Sequence, residues 1–211
     1  MKRKPFIIIW FISAVLILSI SQAQAADHFT QNEFTTAESL DAGMTQSGVH
    51  FTLGDHVKNY YAEIRYGLGA MLEVGLKFGA ANATIESADK LGALVGVDLK
   101  YQLIKESEGI PIDMAVDLGY DAIVINSKNA GDLSFSTIFS KSIPLTERGY
   151  KFIPYGGFEM SSLYGSLPTE KKTSLYVLGG LEWKLSQKFM VLLELKTGSS
   201  TLGGAGIRFE Y

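Results

Sequence analysis

From Tyr60 to the last residue, apolar and polar side chains alternate in segment after segment, with turn residues between them. Leu72, Val74, Leu76 and Phe78 fall on one side of a strand and Glu73, Gly75, Lys77 and Gly79 on the other. Val95, Val97, Leu99, Tyr101 and Leu103 alternate in the same way with Gly96, Asp98, Lys100 and Gln102. A period of two marks a strand with one apolar and one polar face. The clearest segments are Tyr60–Tyr66, Met71–Phe78, Leu91–Leu103, Ile112–Val124, Leu133–Phe139, Phe152–Tyr164, Leu175–Leu185, Phe189–Thr197 and Leu202–Tyr211. Leu40–Leu53 adds a less regular first strand; its phase changes between Met44 and Val49, which predicts a bulge near Gln46–Gly48. The total is about ten, an even number that returns both chain ends to one side, as eight or twelve would also do.

Alternation alone does not separate a membrane barrel from a soluble barrel or sandwich, but the polar face does. A solvated strand face favours side chains that shield the sheet and avoids glycine. Here that face carries Gly75, Gly79, Gly96, Gly119, Gly157, Gly180 and Gly206 between charges of both signs, which suits a narrow, filled interior. The apolar face carries aromatics toward strand ends, among them Tyr66, Tyr101, Trp183 and Phe209, as two interfacial girdles would. Apolar residues make up 46% of the chain, yet beyond the first twenty or so residues no run is long enough for a spanning helix. A membrane protein without such helices must satisfy its backbone by closing a sheet. The predicted fold is therefore all-β, an antiparallel up-and-down transmembrane β-barrel of about ten strands.

The chain starts with Lys2, Arg3 and Lys4, an apolar run from Phe6 to about Ile20, and Ala23-Gln24-Ala25. This is the pattern of a cleaved secretory signal peptide over residues 1–25. Residues 26–37 lack periodicity and read as a periplasmic lead-in, and 38–211 as the barrel. There is no cysteine, hence neither a lipoprotein anchor nor a disulfide. Without Lys2, Arg3 and Lys4, about sixteen basic residues face twenty-two acidic ones, which argues against a nucleic-acid partner. In the last strand Ile207, Phe209 and Tyr211 share one face and Arg208 and Glu210 the other. An exported chain whose final strand closes on an aromatic terminal residue resembles the bacterial outer-membrane β-barrels. That resemblance implies an outer-membrane location among lipid and lipopolysaccharide. It also implies that the barrel-assembly machinery reads Ile207, Phe209 and Tyr211. A first strand paired with the last would make the barrel competent as a monomer.

The inward charges are the candidates for function. Asp113, Asp117 and Asp121 recur every four residues on one face, with about 13 Å between neighbours. The hairpin connections would gather Lys77, Asp98, Lys100, Asp113, Asp117 and Asp121 into one luminal cluster. Arg65 and Glu73 would pair across a tight turn at Gly67–Ala70, and Glu182, Glu194 and Arg208 would form a further group. Such a set serves either as an interior plug of ion pairs or as a cation-favouring constriction or metal site; the plug is the reading taken, with no metal and no cofactor. Catalysis is not expected. The histidines are His28, His50 and His56, and the luminal serines that His50 would need, Ser134 and Ser136, sit on the sixth strand, beyond hydrogen-bond reach. Barrel proteases of the omptin type, also ten-stranded, carry tall outer extensions for which this chain is too short. Gly203-Gly204-Ala205-Gly206 matches a phosphate loop only superficially, with no helix after it. Lys171 and Lys172 read as a solvated outer loop that would also suit anionic headgroups. The expected function is a structural or surface-contact barrel with a mostly filled lumen, the alternative a narrow channel for small solutes or ions.

Overall fold

The computed structural model describes residues 33–54, 57–85, 88–107, 109–145, 150–167 and 172–211. The expected signal segment, residues 26–32, His28, His56 and Lys171 lie outside the described residues. Ten long strands run β1 (Thr45–Gly54), β2 (Val57–Gly69), β3 (Leu72–Ile85), β4 (Ala88–Ile104) and β5 (Asp113–Ile125), then β6 (Lys128–Ser140), β7 (Lys151–Gly165), β8 (Lys172–Lys184), β9 (Phe189–Thr197) and β10 (Thr201–Glu210). A two-residue piece, Ile143–Pro144, adds a short pairing to the start of β7. Each strand pairs antiparallel with its sequence neighbour, and β1 with β10 closes the ring, Gln46 opposite Glu210 through Gly54 opposite Leu202. Closure leaves no strand edge to be satisfied by water.

The rim where β1 starts and β10 ends is the terminal rim, and the opposite one the loop rim; the longest connections, 105–112 and 141–150, lie at the terminal rim. Two hairpins are two-residue turns with positive φ at both positions, Ala70 (50°) with Met71 (67°) and Asn126 (48°) with Ser127 (67°). Such turns match the twist of the flanking strands. The bulge expected near Gln46–Gly48 is absent, since β1 pairs without interruption with both neighbours. Met44 precedes the strand, its N–H donating to the Asp41 carbonyl, so the apparent change of phase is where the strand begins. The register shifts instead between Gly67 and Gly69 and between Gln102 and Ile104, both at the terminal rim.

The faces are inverted relative to a water-soluble barrel. Leu76 is 53% exposed and Phe158 55%, with Val49, Ile64, Val97, Leu118, Leu133 and Leu193 exposed in the same outward belt. Aromatics flank the belt. Phe152 opposite Trp183 and Phe189 opposite Phe209 lie at the terminal rim, and Phe51 with Tyr60 and Tyr120 with Tyr164 nearer the loops. This is the outward pattern of a lipid-embedded barrel.

Inside, the lumen divides into two zones. Toward the loop rim it is filled mainly by apolar side chains, including Val57, Leu94, Ile123, Ile125, Leu163 and Leu202, with the buried Lys196 and Asp132 at the level of the last two. Toward the terminal rim it is filled by charge and by residues 33–40, the end of the expected lead-in and the three residues after it. Residues 33–37 were expected to hang in the periplasm; they are instead buried within the barrel. The reason is geometric. An eight-stranded barrel is just wide enough for its own side chains to fill, and diameter grows with strand number. Ten strands with several inward glycines leave room for one more segment of chain.

Candidate functional site

Every residue expected in the lumen from the alternation points there, but the charges pair differently from the expected cluster. Arg65, 1% exposed, is the hub. Its guanidinium bonds Glu63 at 2.8 Å, Glu73, and Asp98 at 2.5 Å, with Asp117 at 4.0 Å. Five donors in a planar fork allow one arginine to serve several carboxylates at once. The pairing of Arg65 with Glu73 follows from β2 and β3 meeting across the tight turn, Gly67 standing opposite Glu73.

The expected single cluster of Lys77, Asp98, Lys100, Asp113, Asp117 and Asp121 is divided among several partners. Asp98 turns to Arg65. Lys77 lies 3.8 Å from Asp121. Asp113 accepts from the Gln102 amide and the Glu106 N–H, both at 2.8 Å, at the terminal rim. Lys100 stands opposite Asp117 in the ladder, yet its ammonium swings to Glu73 at 3.2 Å and to the lead-in. Among the described residues both Asp117 oxygens are buried without a hydrogen-bond partner. The separation has a structural cause. Asp98 folds its carboxylate over Gly75 and Asp121 over Gly96, where an added Cβ would collide with each. The inward glycines are the recesses into which the acids lie.

Glu182, Glu194 and Arg208 do not form one group either. Arg208 reaches across β1 to Glu63 at 2.5 Å and bonds Gln46 at 3.3 Å. Glu194 accepts from the Tyr155 hydroxyl at 2.9 Å. Glu182 is buried and lines a cavity of about 130 Å³ at the terminal rim, with Glu73, Lys100, Lys184 and Arg208. Ile207, Phe209 and Tyr211 all point outward, with Phe209 packed on Phe189 at 5.1 Å between ring centroids.

Sequence reasoning missed Glu63, Asp132, Glu159 and Lys196. Lys196 bonds both oxygens of Glu159 at 2.6 and 2.7 Å, its ammonium 5.0 Å from the Tyr176 ring. Ser161 donates to Asp132. The phase contains the signal for all four, since Glu63 lies two residues before Arg65, Asp132 two before Ser134, Glu159 two after Gly157 and Lys196 two after Glu194. His50 lies between Phe34 and Tyr61, ring centroids 4.9 and 5.2 Å away, with Nε2 3.2 Å from Glu63. β1 and β6 are separated by four strands in either direction round the ring, which puts Ser134 and Ser136 opposite His50.

The lead-in is held by its main chain. The N–H groups of Glu33 and Phe34 both donate to the Glu194 carboxylate at 2.9 Å. Ala37 N–H donates to Ser140 Oγ at 3.1 Å, Ser39 N–H to Gln102 at 3.0 Å, and Leu40 N–H to Glu73 at 2.9 Å. Lys100 donates to the carbonyls of Thr36 and Glu38 at 3.1 and 2.9 Å, and Arg208 to that of Phe34 at 2.8 Å. Phe34 has φ of 46°, a left-handed conformation that costs a non-glycine residue free energy and persists where its surroundings over-determine it. Glu194, Arg208 and the His50 ring fix it from three sides.

No protein-family model and no curated protein sequence matches the chain. Solved structures do. The β domain of the Bordetella autotransporter BrkA aligns with a TM-score of 0.52 at 13% identity, over 81% of this chain and 100% of that one. The N-terminal β-barrel domain of Pseudomonas aeruginosa OprF gives 0.40 at 13% identity, over 82% and 100%. The KdgM porin gives 0.41 at 10%, over 78% and 98%. At these identities the likeness is one of fold, and the fold is that of the bacterial outer-membrane β-barrels.

Proposed function

We propose that this is an integral outer-membrane barrel with a filled lumen, serving a structural or surface-contact role in the envelope rather than catalysis. The observation that supports this reading most is the double filling of the bore, by the Arg65 network and residues 33–40 at one end and by apolar side chains at the other. A path for solute would have to cross both zones. Lipid and lipopolysaccharide are the surroundings that suit the outward apolar belt. The outward row of Ile207, Phe209 and Tyr211 is the segment we assign to the assembly machinery. Closure by β1 and β10 of one chain suits a monomer, and the acidic balance gives nucleic acid no footing.

The second reading, a narrow channel, has one specific observation in its favour. Among the described residues eleven buried carboxylates stand against five buried lysines and arginines, a balance that would favour cations in any water-filled path. Single-channel recording of refolded protein in planar bilayers separates the two. A folded barrel that stays silent supports the filled lumen; steady openings overturn it in favour of a cation-preferring channel.

A further inference from the structure

We propose that the terminal half of the lumen is a binding site for polypeptide main chain, occupied by residues 33–40 as a displaceable, tethered plug. The proposal deepens the filled-lumen reading and rests on it only in taking this segment as part of the filling.

Among the described residues six side chains bond the main chain of the segment: Glu73, Gln102 and Lys100, Ser140, Glu194 and Arg208, spread over β3, β4, β6, β9 and β10. All six are nearly buried, between 1% and 4% exposed. Between them they serve the N–H groups of residues 33, 34, 37, 39 and 40 and the carbonyls of 34, 36 and 38. Acceptors meet the N–H groups and cations meet the carbonyls, so the polarity matches along the whole stretch.

Side chains of the segment add apolar contact, Phe34 and Ala37 being fully buried, and a few polar bonds. Thr35 Oγ1 accepts from Lys100 at 2.9 Å, the Phe34 ring packs on His50, and the Ser39 hydroxyl donates to the Met71 carbonyl. A polar stretch in a strand is normally held by ladder bonds. Here the segment belongs to no strand, and side chains from around the ring take that place. The polar part of such a cradle reads backbone and not side-chain identity. It also holds its occupant by independent bonds that can be released without opening the barrel wall. Glu73 and Arg208 belong to the ion-pair network as well, whereas Ser140 does not, so the cradle can be weakened without touching the hub.

The test uses the full chain, whose lack of cysteine makes a single introduced thiol a clean probe. Ala37 is fully buried against Ala115, Ile138, Tyr155 and Leu178. Ala37→Cys is labelled with a water-soluble maleimide in the refolded barrel, beside Gln187→Cys in the exposed turn between β8 and β9. Retarded electrophoretic change until boiling reports that each variant is folded. The thiol at 37 should label far more slowly than that at 187. Adding Glu194→Gln should raise its rate about tenfold or more, the order expected when a hydrogen bond to a charged group is lost, and Ser140→Ala should raise it several-fold. Glu38→Ala should leave the rate within about twofold, since the change removes no main-chain bond.

Three outcomes overturn the proposal: equal labelling at 37 and 187 in a folded barrel, no acceleration by either cradle variant, or a loss of protection in Glu38→Ala as large as that in Glu194→Gln. Bilayer recording of the unmodified protein keeps the two readings apart. Openings with the thiol still protected would reject the filled lumen and leave the plug standing, while silence with an unprotected thiol would do the reverse.

Discussion

Replacing Arg65 by alanine tests whether the lumen is dry enough for its ion pairs to hold the barrel together. The change removes a guanidinium bonded to Glu63, Glu73 and Asp98, with Asp117 at 4.0 Å. Two of those four acids keep a cation, Glu63 through Arg208 at 2.5 Å and Glu73 through Lys100 at 3.2 Å. Asp98 and Asp117 keep none within 4.0 Å among the described residues, and both are 1% exposed. Breaking a truly buried pair costs ~3–5 kcal/mol, because a charge is left desolvated and unpaired. A loss of that order is expected here, against a total stability of ~5–15 kcal/mol for a typical domain. Lys184→Ala is the comparison. Its ammonium lies 3.5 Å from Glu210 at the half-open terminal rim, where a pair contributes ~0–1 kcal/mol. Urea unfolding in lipid vesicles, followed by the fluorescence of Trp183 on the outer face, measures both. Adding Asp98→Asn to Arg65→Ala should restore part of the loss, since it removes an orphaned charge. Equal midpoints for Arg65→Ala and Lys184→Ala would refute the reasoning and mean that water screens the lumen.

Val97 faces outward at mid-strand, so Val97→Arg should cost ~2–4 kcal/mol in the same assay, whereas arginine at the exposed turn residue Gln187 should be nearly neutral. Gly157→Ala should destabilise, its new methyl meeting the Thr137 carbonyl, while Gly179→Ala, with nothing within 4 Å, should not; thermal unfolding of the two tells them apart. Deleting Phe209–Tyr211 should abolish outer-membrane assembly, and normal levels of truncated protein in that membrane would remove the assembly role given to this row. At the terminal rim the Lys141 ammonium bonds Glu106 at 2.6 Å and holds its carboxyl below the ordinary 4.5. A carboxyl with a depressed folded value stabilises above its unfolded value and loses that contribution as pH falls through the folded one. The stability difference between the parent and Lys141→Ala should therefore be a few tenths of a kcal/mol near neutrality, as for a partly exposed pair, and vanish on titration below about 4.5.

Much of this architecture is legible in the residues, because a period of two assigns each side chain to a face without reference to any partner. Strand count, the inward direction of Asp98, Lys100, Asp113, Asp117 and Asp121, and the pairing of Arg65 with Glu73 all depend on neighbours close in sequence. What fails is whatever depends on reach across the bore. Arg208 passes over β1 to Glu63, and Lys196 passes over β8 to Glu159. A ladder register places only the Cα atoms for such pairs. Lys100 shows the limit most plainly: directly opposite Asp117, it bonds elsewhere, because four acceptors of Glu73 and the lead-in surround its ammonium. The lead-in itself carries no periodicity to read. Its order is imposed by side chains far away in sequence, Glu194 more than 150 residues on.

That imposed order also answers a problem the charge balance raises. Among the described residues eleven buried carboxylates, Glu33 of the segment itself among them, cannot all be matched by five buried lysines and arginines, and an unmatched buried acid is costly. Backbone N–H groups are the alternative donors, but those of the wall are committed to the ladder. Residues 33–40 bring uncommitted ones into the bore. Two of them go to Glu194, which the Tyr155 hydroxyl also serves, and one to Glu73, already shared by Arg65 and Lys100. In return the lead-in carbonyls take the spare donors of Lys100 and Arg208. The segment is thus an electrostatic complement as well as a filler of space. It follows that weakening the plug should expose the acid excess, so any leak created by Glu194→Gln or Ser140→Ala should prefer cations. A leak that favours anions would show that the unmatched carboxylates are not charged in the open lumen, and that the lead-in serves to fill space alone.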